Sequence, residues 1–302
     1  MTAVELPMDL TPLDGGFSGE TFSAEVAGQR VVVRIYAGRS RARGPSAVDI
    51  DAAVLRWMRG IVPVPEVLEV RRPAGDLPAL LVTELVPGRR GDQVLAGLDP
   101  VRRAELGFNL GRVLDRLSHV PTLLPGRFAG PSLGIEPFPF DDGLPGWVDA
   151  HAAAMTTWSD TDLTALARHA DRAQDLLDTV GRTCLVHGDL NPKNVLIDPD
   201  SLDVTAVLDW EFAHSGTPFA DLGNLLRFEA DEGFLDGVLN GLAVPPSGRH
   251  GRQRTLELAR AADLAALVDL TARDHDPSLR NPVTSAAHRR LLDLARSQPA
   301  AG

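Results

Sequence analysis

The pattern of apolar positions divides the chain in two. Up to Pro87-Gly88 it reads as short apolar strands with one helix, and beyond that it is mostly helical in its spacing. Strands are predicted at 10–13 and 21–26, on either side of Gly15-Gly16-Phe17-Ser18-Gly19. Ala27-Gly28 reads as a turn into the β-branched run 31–36, so the segments around it pair as a hairpin. Residues 39–45 form a Gly/Arg/Pro loop. The stretch 47–59 then spaces Val48, Ala52, Leu55 and Met58 as one face of a helix. Val62-Pro63-Val64-Pro65 ends it, because proline cannot continue a helix. Two further strands are predicted at 67–70 and 80–85.

Downstream, 102–120 puts Leu106, Leu110, Val113, Leu114 and Leu117 on one helical face. The Pro- and Gly-rich 121–145 reads as an irregular insertion, and 161–180 as an amphipathic helix. Short strands at 184–187, 195–197 and 204–208 surround polar loops, and helices at 233–242, 253–272 and 283–297 complete the chain. The predicted class is α+β. A small antiparallel-sheet lobe spans 1–85, a hinge 86–91, and a larger, mainly helical lobe 92–302.

The candidate chemistry lies in His187-Gly188-Asp189-Leu190-Asn191-Pro192-Lys193-Asn194, followed by Asp209-Trp210-Glu211. Asp189 follows a strand, where a fixed backbone can aim a carboxylate. Asn194 precedes the next strand and offers a hard, neutral oxygen suited to Mg²⁺. Asp209 ends a third strand and supplies a second oxygen ligand. One base and two metal ligands on neighbouring strand ends suit phosphoryl transfer, with Asp189 orienting an acceptor hydroxyl and taking its proton.

H-G-D-x-x-x-x-N with a downstream D-W-E, and Asp221-Leu222 after it, resembles the aminoglycoside phosphotransferase and choline kinase-like family, with its capreomycin/viomycin type among the candidates. The resemblance implies a two-lobed, protein-kinase-like fold, and the other motifs occur in the family's order. Gly15, Gly16, Ser18 and Gly19 would offer backbone N–H groups and a hydroxyl to phosphate. Arg34 takes the place of the strand lysine that grips the α/β-phosphates, and Asp51 that of its helix acid, so the two are expected to pair. Thr83 and Leu85 fall where the adenine base would meet backbone groups. Lys193, next to the metal ligand Asn194, is a candidate for the γ-phosphate in the transition state. His187 is expected to pack, and Asp221 to accept loop N–H bonds.

Composition narrows the reading. The formal net charge is −11, and Lys193 is the single lysine among 30 Lys+Arg. That excludes a P-loop, which needs G-K-[ST], and a β-lactamase, which needs S-x-x-K. The acidic balance argues against nucleic acid as partner and favours a cationic ligand. Glu211, Asp231 and Glu232 are candidate substrate contacts, with Glu229, Asp263 and Asp274 as further acids for a polyamine pocket. No apolar run has a membrane helix's length, Met1 to Leu10 carries Glu5 and Asp9 but no cation, and Cys184 has no second cysteine to pair with. A cytoplasmic monomer or weak homodimer without a membrane partner is expected.

The expected activity is transfer of the γ-phosphoryl of ATP or GTP, with Mg²⁺, to a hydroxyl of a cationic antibiotic, an aminoglycoside or a basic peptide, giving resistance. Choline, homoserine, a macrolide or a sugar are alternative acceptors. A nucleotide-binding pseudokinase or a metal-dependent phosphoesterase are alternatives of other classes.

Overall fold

A computed structural model describes residues 10–13, 21–37, 43–138, 143–228, 231–245 and 247–297. Gly15, Gly16, Ser18, Gly19 and Glu229 lie outside the described residues. The chain forms two compact units, each threaded by more than one segment. The first comprises Met1–Asp99, Arg127–Glu136 and Pro192–Ala213, and the second Pro100–Gly126, Pro137–Asn191 and His214–Gly302. In contact, residues 86–99 therefore group with the first unit, and so does the segment that carries Asn194 and Asp209.

The first unit is built on a five-stranded antiparallel sheet. Its strands β1 (Thr11–Pro12), β2 (Thr21–Val26), β3 (Gln29–Tyr36), β4 (Val67–Arg71) and β5 (Ala79–Glu84) are ordered β1-β2-β3-β5-β4. The hairpin around Ala27-Gly28 pairs Thr21 with Arg34 and Val26 with Gln29. Val31 and Val33 alternate inward onto Ala24 and Val82. Helix α1 (Ala47–Met58) buries Val48, Ala52, Leu55 and Met58, the face predicted from spacing. A second, three-stranded sheet holds β6 (Arg89–Arg90), β11 (Val195–Ile197) and β12 (Val204–Val207) in the order β12-β11-β6. Helix α2 (Gly91–Ala96) starts against it. A Cβ on Gly91 would lie 2.7 Å from the Pro192 carbonyl, so only glycine admits this approach.

The predicted irregular insertion is partly regular. It contains β7 (Pro121–Thr122), the hairpin of β8 (Gly126–Ala129) with β9 (Gly134–Glu136), and the start of α4 (Gly143–Ala152). Cross-strand hydrogen bonds give these short segments an order that local composition does not announce.

In the second unit, β7 pairs with β10 (Thr183–Val186), which pairs in turn with β13 (His214–Gly216). Helix α3 (Pro100–Ser118) crosses α7 (Glu232–Asn240) at glycines. A Cβ on Gly107 would stand 2.4 Å from the Phe234 carbonyl, and one on Gly237 2.1 Å from the Ala104 carbonyl. Between them lies α5 (Asp160–Leu177), then α6 (Ala220–Leu225) before α7. The helix predicted at 253–272 is two, α8 (Gly248–Ala262) and α9 (Leu264–Asp274), broken at Asp263, and α10 (Pro282–Arg296) follows. Leu144, Trp158, Leu166, Leu264, Val268 and Leu291 fill the core between α4, α5, α9 and α10.

Candidate active site

The loop after β10 is fixed from within the second unit. His187 is fully buried, and its Nδ1 accepts the Asp189 N–H at 3.2 Å. Asp221, the second residue of α6, accepts from the His187 and Gly188 amides at 2.8 and 2.9 Å. Gly188 holds φ +83, a conformation that side chains disfavour. Asn191 donates to the Asp189 carboxylate at 2.8 Å and to its carbonyl at 3.0 Å. The half-buried carboxylate of Asp189 is thus anchored on both sides of its Cα.

The proposed metal ligands belong to the first unit. Pro192–Asn194 form a 3₁₀ turn that leads into β11. Val195 pairs with Val207, and the Leu208 N–H donates to the Asn194 carbonyl at 2.8 Å. This register carries Asn194 and Asp209 to the same end of one hairpin. Lys193 occupies the same turn and is partly exposed. Asp209 has φ +62 and ψ +61, the left-handed region, which is rare for a residue with a Cβ.

Arg34 and Asp51 do not form the expected pair. The Arg34 guanidinium instead donates to Asp209 at 2.8 Å and to Glu211 at 2.6 Å. Burial disfavours its charge, but the nearby anions, Asp209 first among them, more than offset this and leave its pKa above the ordinary arginine value. Its Nε, also buried, has no hydrogen-bond partner among the described residues. Asp51, buried on α1, is taken by both terminal nitrogens of Arg43 at 2.6 and 2.8 Å and by the Tyr36 hydroxyl at 2.7 Å. The cause lies in β3. Tyr36 shares a face with Arg34, two residues earlier, and the Arg34 guanidinium lies 5.5 Å from the Tyr36 ring centre. The ring takes the helix acid through its hydroxyl, and the Arg43 fork completes the carboxylate.

Asn194 and Asp209 are hard oxygen donors on adjacent hairpin positions, one neutral and one anionic, which suits Mg²⁺ shared with phosphate oxygens. Asp209 is 40% exposed at its side chain, and Glu211 5%. Among the described residues, no group of three or more His, Cys, Asp or Glu is placed to hold a metal ion. Thr83 is buried within β5, opposite Val32 and Val67, and Leu85 is the first residue past the strand's end.

The C-terminal acids are spent elsewhere and do not gather. Asp231 caps α7 by accepting the Phe234 N–H at 2.7 Å. Glu232 pairs with Arg252 at 2.7 Å. Asp263 is buried on Arg227, and Asp274 accepts from Ser285, Thr284 and His288. The Arg43–Asp51 and Arg227–Asp263 pairs were not foreseen. Each joins charges from separate segments, and no spacing rule connects them.

Known proteins resemble the chain in sequence and in fold. The chain is 26% identical over 262 residues to acyl-CoA dehydrogenase family member 10 of Mus musculus, a match covering 83% of this chain but only 24% of that protein. It is 30% identical over 224 residues to streptomycin 3''-kinase of Streptomyces griseus, covering 67% of this chain and 72% of the relative. It is 32% identical over 172 residues to aminoglycoside 3'-phosphotransferase of Streptomyces fradiae, covering 56% and 60%. Its fold superposes on aminoglycoside phosphotransferase APH(4)-Ia, in ternary complex with AMP-PNP and hygromycin B, with a TM-score of 0.67 at 19% identity, covering 96% and 95% of the two chains. A GDP complex of aminoglycoside 2'-phosphotransferase-IIIa gives 0.66 at 16% identity, covering 97% and 93%. Residues 9–258 match the phosphotransferase enzyme family, and the chain belongs to it.

Proposed function

We propose that this phosphotransferase moves the γ-phosphoryl of ATP or GTP to a hydroxyl of a small cationic antibiotic, an aminoglycoside or a basic peptide of the capreomycin/viomycin type. The supporting observation is the hairpin register that carries Asn194 and Asp209 together, with Arg34 bound to Asp209. Asp189 accepts the proton of the acceptor hydroxyl as its oxygen attacks, and Asn191 keeps the carboxylate turned for that transfer. Asn194 and Asp209 would hold Mg²⁺, which neutralises phosphate charge. Arg34 leaves its carboxylates for the α/β-phosphates, which offer its fork an equivalent set of oxygens. Lys193 meets the γ-phosphoryl as negative charge redistributes onto it. The acidic chain and the relatives named for aminoglycosides support the choice of acceptor.

A second reading, an acceptor that is not a polycation, such as homoserine, a macrolide or a sugar, is favoured by one observation. Asp231, Glu232, Asp263 and Asp274 are committed to a cap, ion pairs and hydrogen bonds within the chain. Substrate-stimulated ADP or GDP release separates the readings, run with aminoglycosides, capreomycin, viomycin, choline, homoserine, macrolides and sugars. Stimulation by the aminoglycosides, capreomycin or viomycin alone supports the first reading, and by choline, homoserine, a macrolide or a sugar alone the second. Nucleotide binding with no stimulation by any acceptor would indicate a pseudokinase, and phosphate release without nucleotide an esterase.

A further inference from the structure

The second unit contains a cavity of about 50 Å³ walled by α6, α8 and α10, with room for more than one water. The charged groups lining it are Arg227, Arg260, Arg290 and Asp263. Arg227 and Asp263 are buried and neutralise each other, with Nε and Nη2 of the arginine donating to both carboxylate oxygens at 2.6–3.1 Å. Arg260, which is exposed, and the half-buried Arg290 form no close ion pair or hydrogen bond with any described residue, although the Asp263 carboxylate attracts Arg290 from a distance. Burial, and then the like charge of Arg260, hold the Arg290 pKa below the ordinary arginine value. The lining thus carries three guanidinium groups against one carboxylate, in a chain whose net charge is −11. Leucine side chains complete the wall on its buried side, while Arg260 stands exposed at the rim.

We propose that this cavity is a phosphate-binding site, in which Arg260 and Arg290 hold a free phosphate dianion or the head of a phosphate monoester. A phosphate carries about 1.5 to 2 negative charges at neutral pH, which matches two uncompensated cations, whereas a single carboxylate offsets only one. Guanidinium forks present paired N–H groups to phosphate oxygens. The apolar wall of Leu226, Leu267 and Leu294 suits the carbon chain of an ester. The site also touches the catalytic loop's support. Gly223 and Arg227 line it from α6 and the residues just after, and α6 carries Asp221 at its other end. A Cβ on Gly223 would lie 2.1 Å from the Ala259 carbonyl, so α6 and α8 meet backbone to backbone. A bound phosphate ties α8 and α10 to the helix that braces His187 and Gly188.

Calorimetric titration of the full chain, in the presence of Mg-AMP-PNP so that the nucleotide's own phosphate positions are filled, tests the site. The probes are inorganic phosphate, glycerol 3-phosphate and acetate. One phosphate or monoester per chain is expected to bind, and acetate is not. Tighter binding of glycerol 3-phosphate identifies a monoester site, and tighter binding of phosphate a site for the free anion. The double variant Arg260→Gln, Arg290→Gln weakens that binding by at least about tenfold, about 1.4 kcal/mol, and leaves nucleotide affinity unchanged. Neither arginine gives up a hydrogen bond on substitution, so the variant retains its fold. Arg290→Gln alone raises Tm in phosphate-free buffer, by relieving repulsion, and loses the Tm increase that phosphate gives the parent. The proposal is overturned if phosphate and glycerol 3-phosphate both fail to bind the parent, if the double variant binds as tightly, or if acetate binds as well as phosphate.

Discussion

The carboxylate of Asp221 accepts the backbone N–H groups of both His187 and Gly188, at 2.8 and 2.9 Å. One side chain thereby sets the direction of the chain immediately before the proposed base. Asp221→Asn would oppose an NH₂ group to one of those amides and strand a buried donor, a cost of about 1–3 kcal/mol. The expected result is a lower Tm together with a kcat loss larger than any change in nucleotide KM. Unchanged kcat in a folded variant would mean that the loop keeps its course without this brace.

Asp189→Ala removes the proton acceptor and is expected to lower kcat by roughly 10²–10⁴-fold while nucleotide still binds. Asn191→Ala removes one hydrogen bond from the carboxylate and leaves the carboxylate in place, so a smaller kcat loss is expected. Single-turnover kinetics alongside nucleotide titration check both. Near-parental turnover in Asp189→Ala would remove Asp189 from the mechanism.

Arg34 bridges Asp209 and Glu211 with its two terminal nitrogens, a span that a lysine ammonium cannot reproduce. Arg34→Lys is expected to raise the nucleotide KM by about tenfold, the scale of one charged hydrogen bond. Glu211→Gln weakens a contact that Arg34 gives up on binding, so it should lower KM, by less than Arg34→Lys raises it. Steady-state titration of Mg-ATP and Mg-GTP measures both, and equal KM values in all three proteins would dissociate Arg34 from the phosphates.

Lys193→Ala separates two roles for the only lysine. Contact with the γ-phosphoryl in flight predicts a kcat loss of roughly tenfold or more with KM little changed. An unchanged kcat would leave Lys193 as a solvated side chain of the loop.

Cys184 sits in the buried strand β10, where burial pushes its thiol up to about 12 from an ordinary 9.0. The folded state retains a proton that the unfolded chain releases, so this contribution to stability is intact below about pH 9 and is lost as pH rises toward 12. Cys184→Ala should therefore flatten part of the decline in Tm at alkaline pH. In the native protein at pH 8 the thiol is expected to resist iodoacetamide and to react on denaturation, as mass spectrometry would record.

Local periodicity carried the parts of this fold that local periodicity determines. The buried face of α1, the β2–β3 hairpin and the strands flanking the catalytic loop all lie where spacing placed them. Asp189, Asn194 and Asp209 could be nominated because their motif is contiguous with those strands. The partner of Asp51 was not, because Arg43 reaches it from a loop and Tyr36 from another strand, and charge alone does not choose between Arg34 and Arg43. The break at Asp263 was equally hidden, and so was the carboxylate's partner there, a buried arginine 36 positions earlier in the chain. Glycines such as Gly107 and Gly237 look permissive in sequence but act as contact surfaces between distant helices.

The left-handed backbone at Asp209 sets two selection pressures against each other. A side chain in that region costs roughly 1–2 kcal/mol that glycine would not incur. Evolution towards a sturdier protein would accordingly drift to glycine at 209, and every such drift would delete the proposed ligand carboxylate and one anchor of Arg34. The aspartate stands at a position where comfort of the backbone argues against it, so a library selected for heat resistance alone should lose it sooner than its neighbours, and one selected for phosphoryl transfer should not.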